Sequence, residues 1–335
     1  MNLAAIAAVF LMTVGAANAE RNLVRPPGTT RYGAMVDELR GEGRWDRDQG
    51  YGRFSLTSIG RSVDGRALWM VTLHDSSTPT GKKIFYMCRQ HGHEPASTEG
   101  ALHFIDELVH ASPSSDLAQC LRRVTVYIVP MANPDGAERY LRHNANDVDL
   151  NRDWLKRTQP ETRALWKAIS TIHPDLLTDQ HELFPDDHRP DFTETAGPKS
   201  GAPSSTLSVC VPTQQVVHLA LAADGFPNRS YWIDSSHAPR LAHRFASIIA
   251  GIPTVLFETN RSNPSRTVAD RADAQEQFMR IMLREAAGEQ DTLLSEAYSV
   301  LGSRNVPGLT AMKPSPALPP APTSQPGSGE ENEGQ

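Results

Sequence analysis

The sequence predicts an α/β fold, a single domain in which helices flank a mixed, mostly parallel central sheet. Apolar runs of strand length alternate with segments of helical spacing over most of the 335 residues, the pattern of a layered α/β domain. An Asp64-Gly65 pair between two early runs is a strong hairpin signal, so one edge of the sheet should be antiparallel. Two later runs end just before histidines, and open α/β sheets place their sites at the carboxyl ends of strands.

Side-chain spacing and turn chemistry predict the elements of the first half of the chain. Tyr32, Met35 and Leu39 share one side of the first predicted helix. Pro95 suits the first turn of the second helix. The predicted elements, in order, are a helix over 30–39, strands over 54–59, 67–73 and 83–88, a helix that follows Pro95, and a strand over 124–129. The tetrapeptide from Asn133 to Gly136 is typical of a turn or loop.

The second half continues the alternation around one irregular stretch. Thr158-x-x-Glu161 matches a capping box, which predicts the start of a helix. The elements expected from there are this helix, a strand over 174–179, a helix over 239–249, a strand over 253–257 that ends at Glu258, and a closing helix over 270–287. Residues 186–229 form the least regular part, and such a stretch is either a binding rim or flexible decoration.

The strongest chemical signal is His91-x-x-Glu94 followed, about ninety residues later, by His181. An imidazole and a carboxylate three residues apart, joined by a distant imidazole, match the ligands of a catalytic zinc, which leaves its fourth position to water. Both histidines follow directly on predicted strands, so the three side chains should meet at one edge of the sheet. We therefore expect one Zn²⁺ per chain.

Composition excludes several other classes of protein. The chain carries 33 Lys and Arg against 39 Asp and Glu, a net charge of −6, and its basic residues are dispersed. This charge balance implies no nucleic-acid partner. Three cysteines are too few for a disulfide framework, although an exported protein could pair two of them. We expect a monomer.

The two ends of the chain differ from its centre. Residues 3–14 are almost wholly apolar and Ala17-Asn18-Ala19 fits a cleavage site, so residues 1–19 are predicted to be a signal peptide cleaved after Ala19. An apolar N-terminal helix is the alternative. The predicted signal peptide implies secretion or periplasmic export, with no transmembrane anchor. A lead-in over 20–29, a catalytic domain over 30–302 and a disordered Pro/Ser/Gly-rich tail over 303–335 complete the predicted organisation.

The order of the motifs resembles that of the zinc metallocarboxypeptidases of the carboxypeptidase A type. The resemblance extends from about Tyr32 to Ala287. The six motifs that carry it are Ile59-Gly-Arg-Ser-Val-Asp-Gly-Arg66, His91-x-x-Glu94, Asn133-Pro-Asp-Gly136, Asp149-Leu-Asn-Arg152, Asp179-x-His181 and Glu258 at a strand end. Each motif is weak alone, but six in the right order are a specific signal.

The resemblance implies a role for each matching residue around the zinc. His91, Glu94 and His181 would bind the metal, and Asp149 would accept a hydrogen bond from the far nitrogen of His91, which sets its tautomer. Glu258 would be the general base that deprotonates the attacking water and passes the proton to the leaving amine.

Three further matches concern the substrate. Arg142 matches the family arginine that stabilises the oxyanion, and Asn151 with Arg152 matches the pair that binds a terminal α-carboxylate. Two departures stand out. Asp147 occupies a position where relatives usually have Gly, and no tyrosine lies about twenty residues before the glutamate. Tyr231, twenty-seven residues before it, is the candidate for the mobile lid residue and substrate contact.

The resulting hypothesis is an exported, zinc-dependent metallocarboxypeptidase that removes C-terminal residues from peptides with a free C-terminus. Three alternatives stay open. One is a related zinc amidase or deacylase on non-standard peptides such as cell-wall stem peptides. Another is an inactive peptide-binding homologue, although all three ligands and Glu258 are present. A serine hydrolase is the third, but this sequence lacks the Gly-x-Ser-x-Gly element of that class.

Overall fold

The structure of the protein, a computed structural model, describes residues 24–75, 81–235, 237, 239–302 and 313–314. The predicted signal peptide lies outside the described residues, as does the predicted disordered tail apart from 313–314. The elements in chain order are α1 (Tyr32–Gln49), β1 (Phe54–Arg61), β2 (Ala67–Leu73), β3 (Lys82–Cys88), α2 (Ala96–His110), α3 (Asp116–Arg123), β4 (Val124–Val129), α4 (Pro134–Arg139), a 3₁₀ turn (Leu150–Arg152), α5 (Pro160–Ile172), β5 (Leu176–Glu182), β6 (Phe192–Ala196), α6 (Ser204–Ala223), β7 (Arg229–Ile233), α7 (Ala242–Arg244) with a π-helical turn (Phe245–Ile249), β8 (Thr254–Thr259), α8 (Val268–Ala286), α9 (Gln290–Leu301) and β9 (Lys313–Pro314).

The described residues form one nine-stranded sheet in the order β1-β2-β4-β3-β5-β8-β6-β7-β9. The central strands β4, β3, β5 and β8 run parallel to one another. Strands β1 and β2 form the antiparallel hairpin expected from Asp64-Gly65, and β6 pairs antiparallel with β8. The prediction of a mixed, mostly parallel sheet with an antiparallel edge is confirmed.

Apolar side chains on the central strands divide between two cores, one on each face of the sheet. In β3, Ile84 and Tyr86 belong to the larger core, while Phe85 and Met87 belong to the second. This division follows from the two-residue period of a strand, which points successive side chains to opposite faces. Helices α1, α2, α6 and α8 contribute to the larger core, and α5 contributes to the second. Burial on both faces explains why these strands read as continuous apolar runs.

Several predicted elements differ from the structure for local reasons. The tetrapeptide from Asn133 to Gly136 is not a loop but the start of α4, in which the Asn133 side chain accepts a hydrogen bond from the Gly136 N–H. The capping-box prediction at Thr158 is wrong, because Thr158 donates its hydroxyl to Asp153 and the helix begins at Pro160. Only 242–249 of the expected 239–249 helix is helical, and most of that is a π turn.

The stretch over 186–229 is more regular than predicted, since it contains β6 and the twenty-residue α6. Within the described residues, α6 alone is long and apolar enough to cross a membrane, with a mean hydropathy of 1.2 and 56% of it buried. Its Gln214 donates to the backbone carbonyls of Thr193 and Tyr231, and Thr213 donates to Glu285. These contacts are those of a helix packed into the fold of a globular domain.

The loop that follows β3 is pressed against the start of α4. A Cβ atom at Gly92 would lie 2.0 Å from the carbonyl carbon of Gly136 and 2.3 Å from the amide nitrogen of Ala137. The Gly92 N–H donates to the carbonyl oxygen of Arg142, which also accepts from the Asn133 amide. The loop that carries His91 and Glu94 can therefore take its position only with glycine at 92.

The Asn-Pro-Asp-Gly motif also anchors the edge hairpin. Asp135 is fully buried and accepts hydrogen bonds from the Ser62 hydroxyl at 2.8 Å and the Asp64 backbone at 2.9 Å. Arg66 forms an ion pair with the same carboxylate at 2.6 Å. Two motifs about seventy residues apart in sequence are thus one structural unit.

We predict that Gly92→Ala lowers the free energy of unfolding by about 3 kcal/mol or more, because the added methyl group would clash with backbone atoms of Gly136 and Ala137. Gly33→Ala is the matched control, since a Cβ there meets nothing within 4 Å and lies in a helix. The control should leave stability unchanged or raise it slightly. Chemical denaturation of both variants checks the prediction, and equal stability of the two would contradict it.

Candidate metal centre

Three ligand atoms from two neighbouring strand ends converge on one point. The Nδ1 atom of His91 lies 2.7 Å from Oε1 of Glu94, and the Nδ1 atom of His181 lies 2.8 Å from Oε2 of Glu94. The two Nδ1 atoms are 3.1 Å apart. Ligand atoms around a tetrahedral zinc with bonds of about 2.0–2.1 Å stand about 3.3 Å from one another. The donor set and its spacing therefore fit Zn²⁺.

The electrostatics of the site also favour a bound cation. Burial opposes the charged form of His181, yet the carboxylates of Asp179 and Glu94 raise its pKa well above the usual range. Both carboxylates are completely or almost completely buried. A divalent metal on the Nδ1 face of His181 would supply the positive charge that this surplus of buried carboxylates demands.

Arg142 and Asp149 form a layer behind His91. The Nε2 atom of His91 lies 3.1 Å from Oδ1 of Asp149, which leaves Nδ1 free to face the metal. Arg142 donates from Nε to Oδ2 of Asp149 at 3.0 Å, while its Nη1 lies 3.2 Å from Nδ1 of His91. The guanidinium also stacks on the ring of Phe184, with 4.6 Å to the centroid. Asp149 therefore orients the candidate metal ligand His91 and also places the Arg142 guanidinium next to the metal position.

Glu258 stands at the end of β8, directly beside His181 in the parallel pairing with β5. Its carboxyl group is half-buried and has no hydrogen-bond partner among the described residues. Burial raises the pKa of Glu258 to about 7, and the nearby Glu94 adds to the rise, while His181 and the arginines Arg189 and Arg142 oppose it. A carboxyl group with a pKa near neutrality can both accept and return a proton.

Asn151 and Arg152 occupy a 3₁₀ turn next to the metal ligands. The Asn151 side-chain oxygen accepts from the backbone N–H of Ala242 at 2.8 Å, and its Nδ2 lies 3.2 Å from Nε2 of His181. Because Nε2 of His181 carries a proton when Nδ1 faces a metal, the amide hydrogens of Asn151 stay available to a ligand. The Arg152 guanidinium is half-buried and makes no hydrogen bond or ion pair within the described part of the chain. An unpaired guanidinium of this kind is suited to bind a carboxylate.

Comparison with known proteins agrees with this geometry. Residues 49–180 match the family model described as zinc carboxypeptidase. Carboxypeptidase SOL1 of Arabidopsis thaliana is 36% identical over 146 residues, a match that covers 36% of this chain and 29% of that protein. Carboxypeptidase M of Mus musculus is 31% identical over 138 residues, which covers 35% and 31%. Over residues 49–180 the chain is therefore similar to the zinc carboxypeptidases. Its matches span less than a third of these two relatives.

Solved structures of zinc carboxypeptidases share the fold. A metallo-carboxypeptidase from Burkholderia cenocepacia superposes with a TM-score of 0.63 at 21% identity, covering 75% of this chain and 68% of that one. Carboxypeptidase A from Helicoverpa armigera superposes with a TM-score of 0.60 at 18% identity, covering 86% and 81%. At this level of identity the likeness is evidence of fold alone.

The two departures from the carboxypeptidase pattern have distinct structural settings. Asp147 has a φ of 58°, a left-handed conformation that favours glycine, the residue that the resemblance implies for this position. Tyr231 lies on β7, two strands from β8, with its ring packed edge-on against Phe192 at 5.1 Å between centroids. A role for Tyr231 as a lid residue stays a prediction.

Several residues that support the candidate metal centre could not be predicted, because their partners are distant in sequence. Gln90 donates to Oδ1 of Asp179 at 2.6 Å and accepts from the buried indole N–H of Trp154 at 2.8 Å. Asp179 in turn lies 3.0 Å from Nε2 of His181. Glu182 accepts from the Ala96 N–H and pairs with Arg271. The sequence offered one indication of these supporting residues, because Gln90 directly precedes the candidate ligand His91.

A second buried ion network lies behind Asp179. Glu194 on β6 accepts from both sides of the Arg244 guanidinium at 2.9 and 3.1 Å, and lies 2.7 Å from Nε2 of His243. The other ring nitrogen of His243 is 3.4 Å from Oδ2 of Asp179. All four side chains are almost completely buried. This network of charged groups extends from His181 through Asp179 into the core. Removing a charge at Glu194 should therefore lower the stability of the fold.

We predict that Glu194→Gln lowers the free energy of unfolding by about 3–5 kcal/mol, because it leaves the Arg244 guanidinium buried without a countercharge. Glu296→Gln is the control, since this residue pairs with Arg284 through a half-exposed side chain and should cost less than about 1 kcal/mol. Denaturant titration of the zinc-loaded proteins measures both. A loss below about 1 kcal/mol at Glu194 would show that the network does not stabilise the fold.

Proposed function

We propose that this protein is a zinc-dependent metallocarboxypeptidase that hydrolyses the C-terminal peptide bond of peptides with a free C-terminus, using one zinc per chain. The observation that carries the proposal is the Arg152 guanidinium, which has no hydrogen bond or ion pair among the described residues and lies on the turn whose Asn151 contacts His181. A metal centre alone would serve many hydrolases. A carboxylate-binding cation on this turn would restrict the substrate to chain ends.

The ligands are His91, Glu94 and His181, whose donor atoms all lie within 4.8 Å of one another. Zinc bound there would supply Lewis acidity, which polarises the scissile carbonyl and lowers the pKa of water in its coordination shell. The ligand positions are supported by the hydrogen bond of His91 to Asp149 and that of His181 to Asp179. These carboxylates fix the tautomers that present Nδ1 to the metal.

Glu258 would act as the proton carrier. Its carboxyl group adjoins His181 and has no partner in the described chain, so it can accept a proton from the attacking water. With a pKa near 7 it can then return that proton to the nitrogen of the leaving amino acid. Arg142 would donate a hydrogen bond to the oxygen that gains negative charge, because Asp149 holds its guanidinium next to His91.

Arg152 and Asn151 would position the substrate by its terminal carboxylate. Both oxygens of Asp149 are already used, one by His91 and one by Arg142. Arg152 therefore keeps its fork of donors for a ligand, and Asn151 adds amide hydrogens from the same turn. Binding the α-carboxylate on this turn would place the last peptide bond of the substrate at the metal.

The predicted signal peptide over 1–19 supports a second part of the proposal, export from the cytoplasm, and we further propose that the exported protein is a monomer. The residues after 302 would then be a tail of the exported domain 30–302. N-terminal sequencing of protein recovered from outside the cytoplasm, together with light scattering, tests both statements.

We predict that the purified protein carries about one zinc per chain and that two substitutions separate metal binding from proton transfer. His181→Ala should lose both zinc and turnover, because one of three ligands is removed. Glu258→Gln should keep zinc and lose most turnover, since a neutral amide cannot take the proton. Metal analysis and hydrolysis of N-blocked dipeptides measure both. Near-native turnover of Glu258→Gln would place the base elsewhere.

We predict that Arg152→Ala slows hydrolysis of peptides with a free C-terminus on the order of a thousandfold in kcat/KM, because a desolvated charge pair is lost. The same peptides with amidated C-termini should be poor substrates of the native protein and be little affected by the substitution. Equal rates on free and amidated peptides, with neither slowed in the variant, would rule out a carboxypeptidase and favour the zinc amidase alternative.

A further inference from the structure

A second guanidinium without a partner among the described residues, that of Arg240, lies on a segment bound to the turn of Arg152. Arg240 directly precedes the short segment Leu241–Ala242, and the Ala242 N–H is bound by the side-chain oxygen of Asn151 at 2.8 Å. This hydrogen bond holds the segment against the 3₁₀ turn that carries Arg152. The two guanidiniums are close enough that Arg240 disfavours the charged form of Arg152: burial lowers the pKa of Arg152, and Arg142, Arg240 and Arg244 lower it further, against the opposing effect of Asp149.

The neighbouring charges are already compensated, whereas Arg240 is not. Arg244 is bound by Glu194, and Arg142 is bound by Asp149. The carboxylate closest to Arg240 in sequence, Asp234, lies 2.7 Å from the ring nitrogen of His237. Within the part of the chain that the structure describes, the Arg240 side chain forms neither a hydrogen bond nor an ion pair, and its Nε is shielded from solvent without an acceptor.

An unpaired Arg240 close to the charged Arg152 is unfavourable unless a ligand binds and supplies an acceptor. A buried donor without an acceptor costs free energy, and two like charges in the same site add repulsion. One carboxylate does not resolve this, because the planar fork of Arg152 can occupy both oxygens of a single carboxylate. A second anionic group would satisfy the Nε donor of Arg240 and neutralise the remaining charge.

We propose that Arg240 binds a second carboxylate on the substrate, so that the protein prefers peptides whose C-terminal residue has an acidic side chain. The proposal rests on the proposed carboxypeptidase function, in which Arg152 takes the α-carboxylate. In this arrangement Arg240 takes the side-chain carboxylate of the same residue. Arg240 is then a specificity-determining residue that makes no contact with the scissile bond.

The test compares two almost isosteric substrates, an N-blocked dipeptide ending in glutamate and its counterpart ending in glutamine. The native zinc-loaded protein should hydrolyse the glutamate peptide with a kcat/KM about 10- to 100-fold higher, the range of one charge-assisted hydrogen bond. Arg240→Gln should erase this ratio while leaving the rate on the glutamine peptide within a few fold. Arg240→Lys should restore part of the preference, since it keeps the charge but loses the fork.

Arg44→Gln, an exposed position on α1, is the matched control and should leave the ratio unchanged. Two outcomes would overturn the proposal. The native protein could show no preference, or Arg240→Gln could slow both peptides equally, which would make Arg240 part of the clamp on the α-carboxylate.

Calorimetric binding of N-acetylglutamate and N-acetylglutamine to the zinc-loaded native protein and to Arg240→Gln separates this proposal from the proposed function. If neither peptide is hydrolysed but N-acetylglutamate binds about 10-fold or more tightly and loses that advantage in the variant, the peptidase assignment fails and the acidic site stands. If the two ligands bind equally to the native protein, the acidic site fails whatever the activity.

Discussion

The surplus of buried negative charge at the carboxyl ends of β3, β5 and β8 is the constraint on which the rest of the site depends. Glu94 and Asp179 lie out of solvent within hydrogen-bond distance of His181. Such a group of carboxylates is stable only with a cation among them and donors around them. Gln90 supplies an outer donor, and His243 continues the ion network into the core, so the fold has been arranged around a charge that the metal completes.

Much of this design is legible in the sequence, because it depends on local patterns. The strands over 67–73 and 124–129 agree with the structure end to end, since a run of apolar residues buried on both faces leaves few alternatives. The grouping of His91, Glu94 and His181 could be predicted for the same reason, as a metal would restrict the residue types and the strand ends restrict their location.

The parts that could not be predicted depend on contacts between distant segments. Helix α6 contains Pro212 and several β-branched valines, so local propensity argues against a helix that burial nevertheless stabilises. The partnership of Glu194 with His243 and Arg244 joins residues about fifty positions apart and has no spacing rule. That Arg240 has no partner among the described residues is a property of its surroundings as well, since no sequence pattern reveals that an arginine lacks a countercharge.

The backbone contact between Gly92 and Gly136 makes the loop of the metal ligands and the loop of Arg142 one rigid body, because the Gly92 N–H is bonded to the carbonyl oxygen of Arg142. The segment with Arg240 meets the site through a different contact, from Ala242 to Asn151. The proposed catalytic residues and the proposed specificity residue are therefore held by separate attachments. Substitutions in the second segment could then change the proposed preference for chain ends while the candidate metal ligands keep their positions, which makes this region a natural starting point for directed evolution.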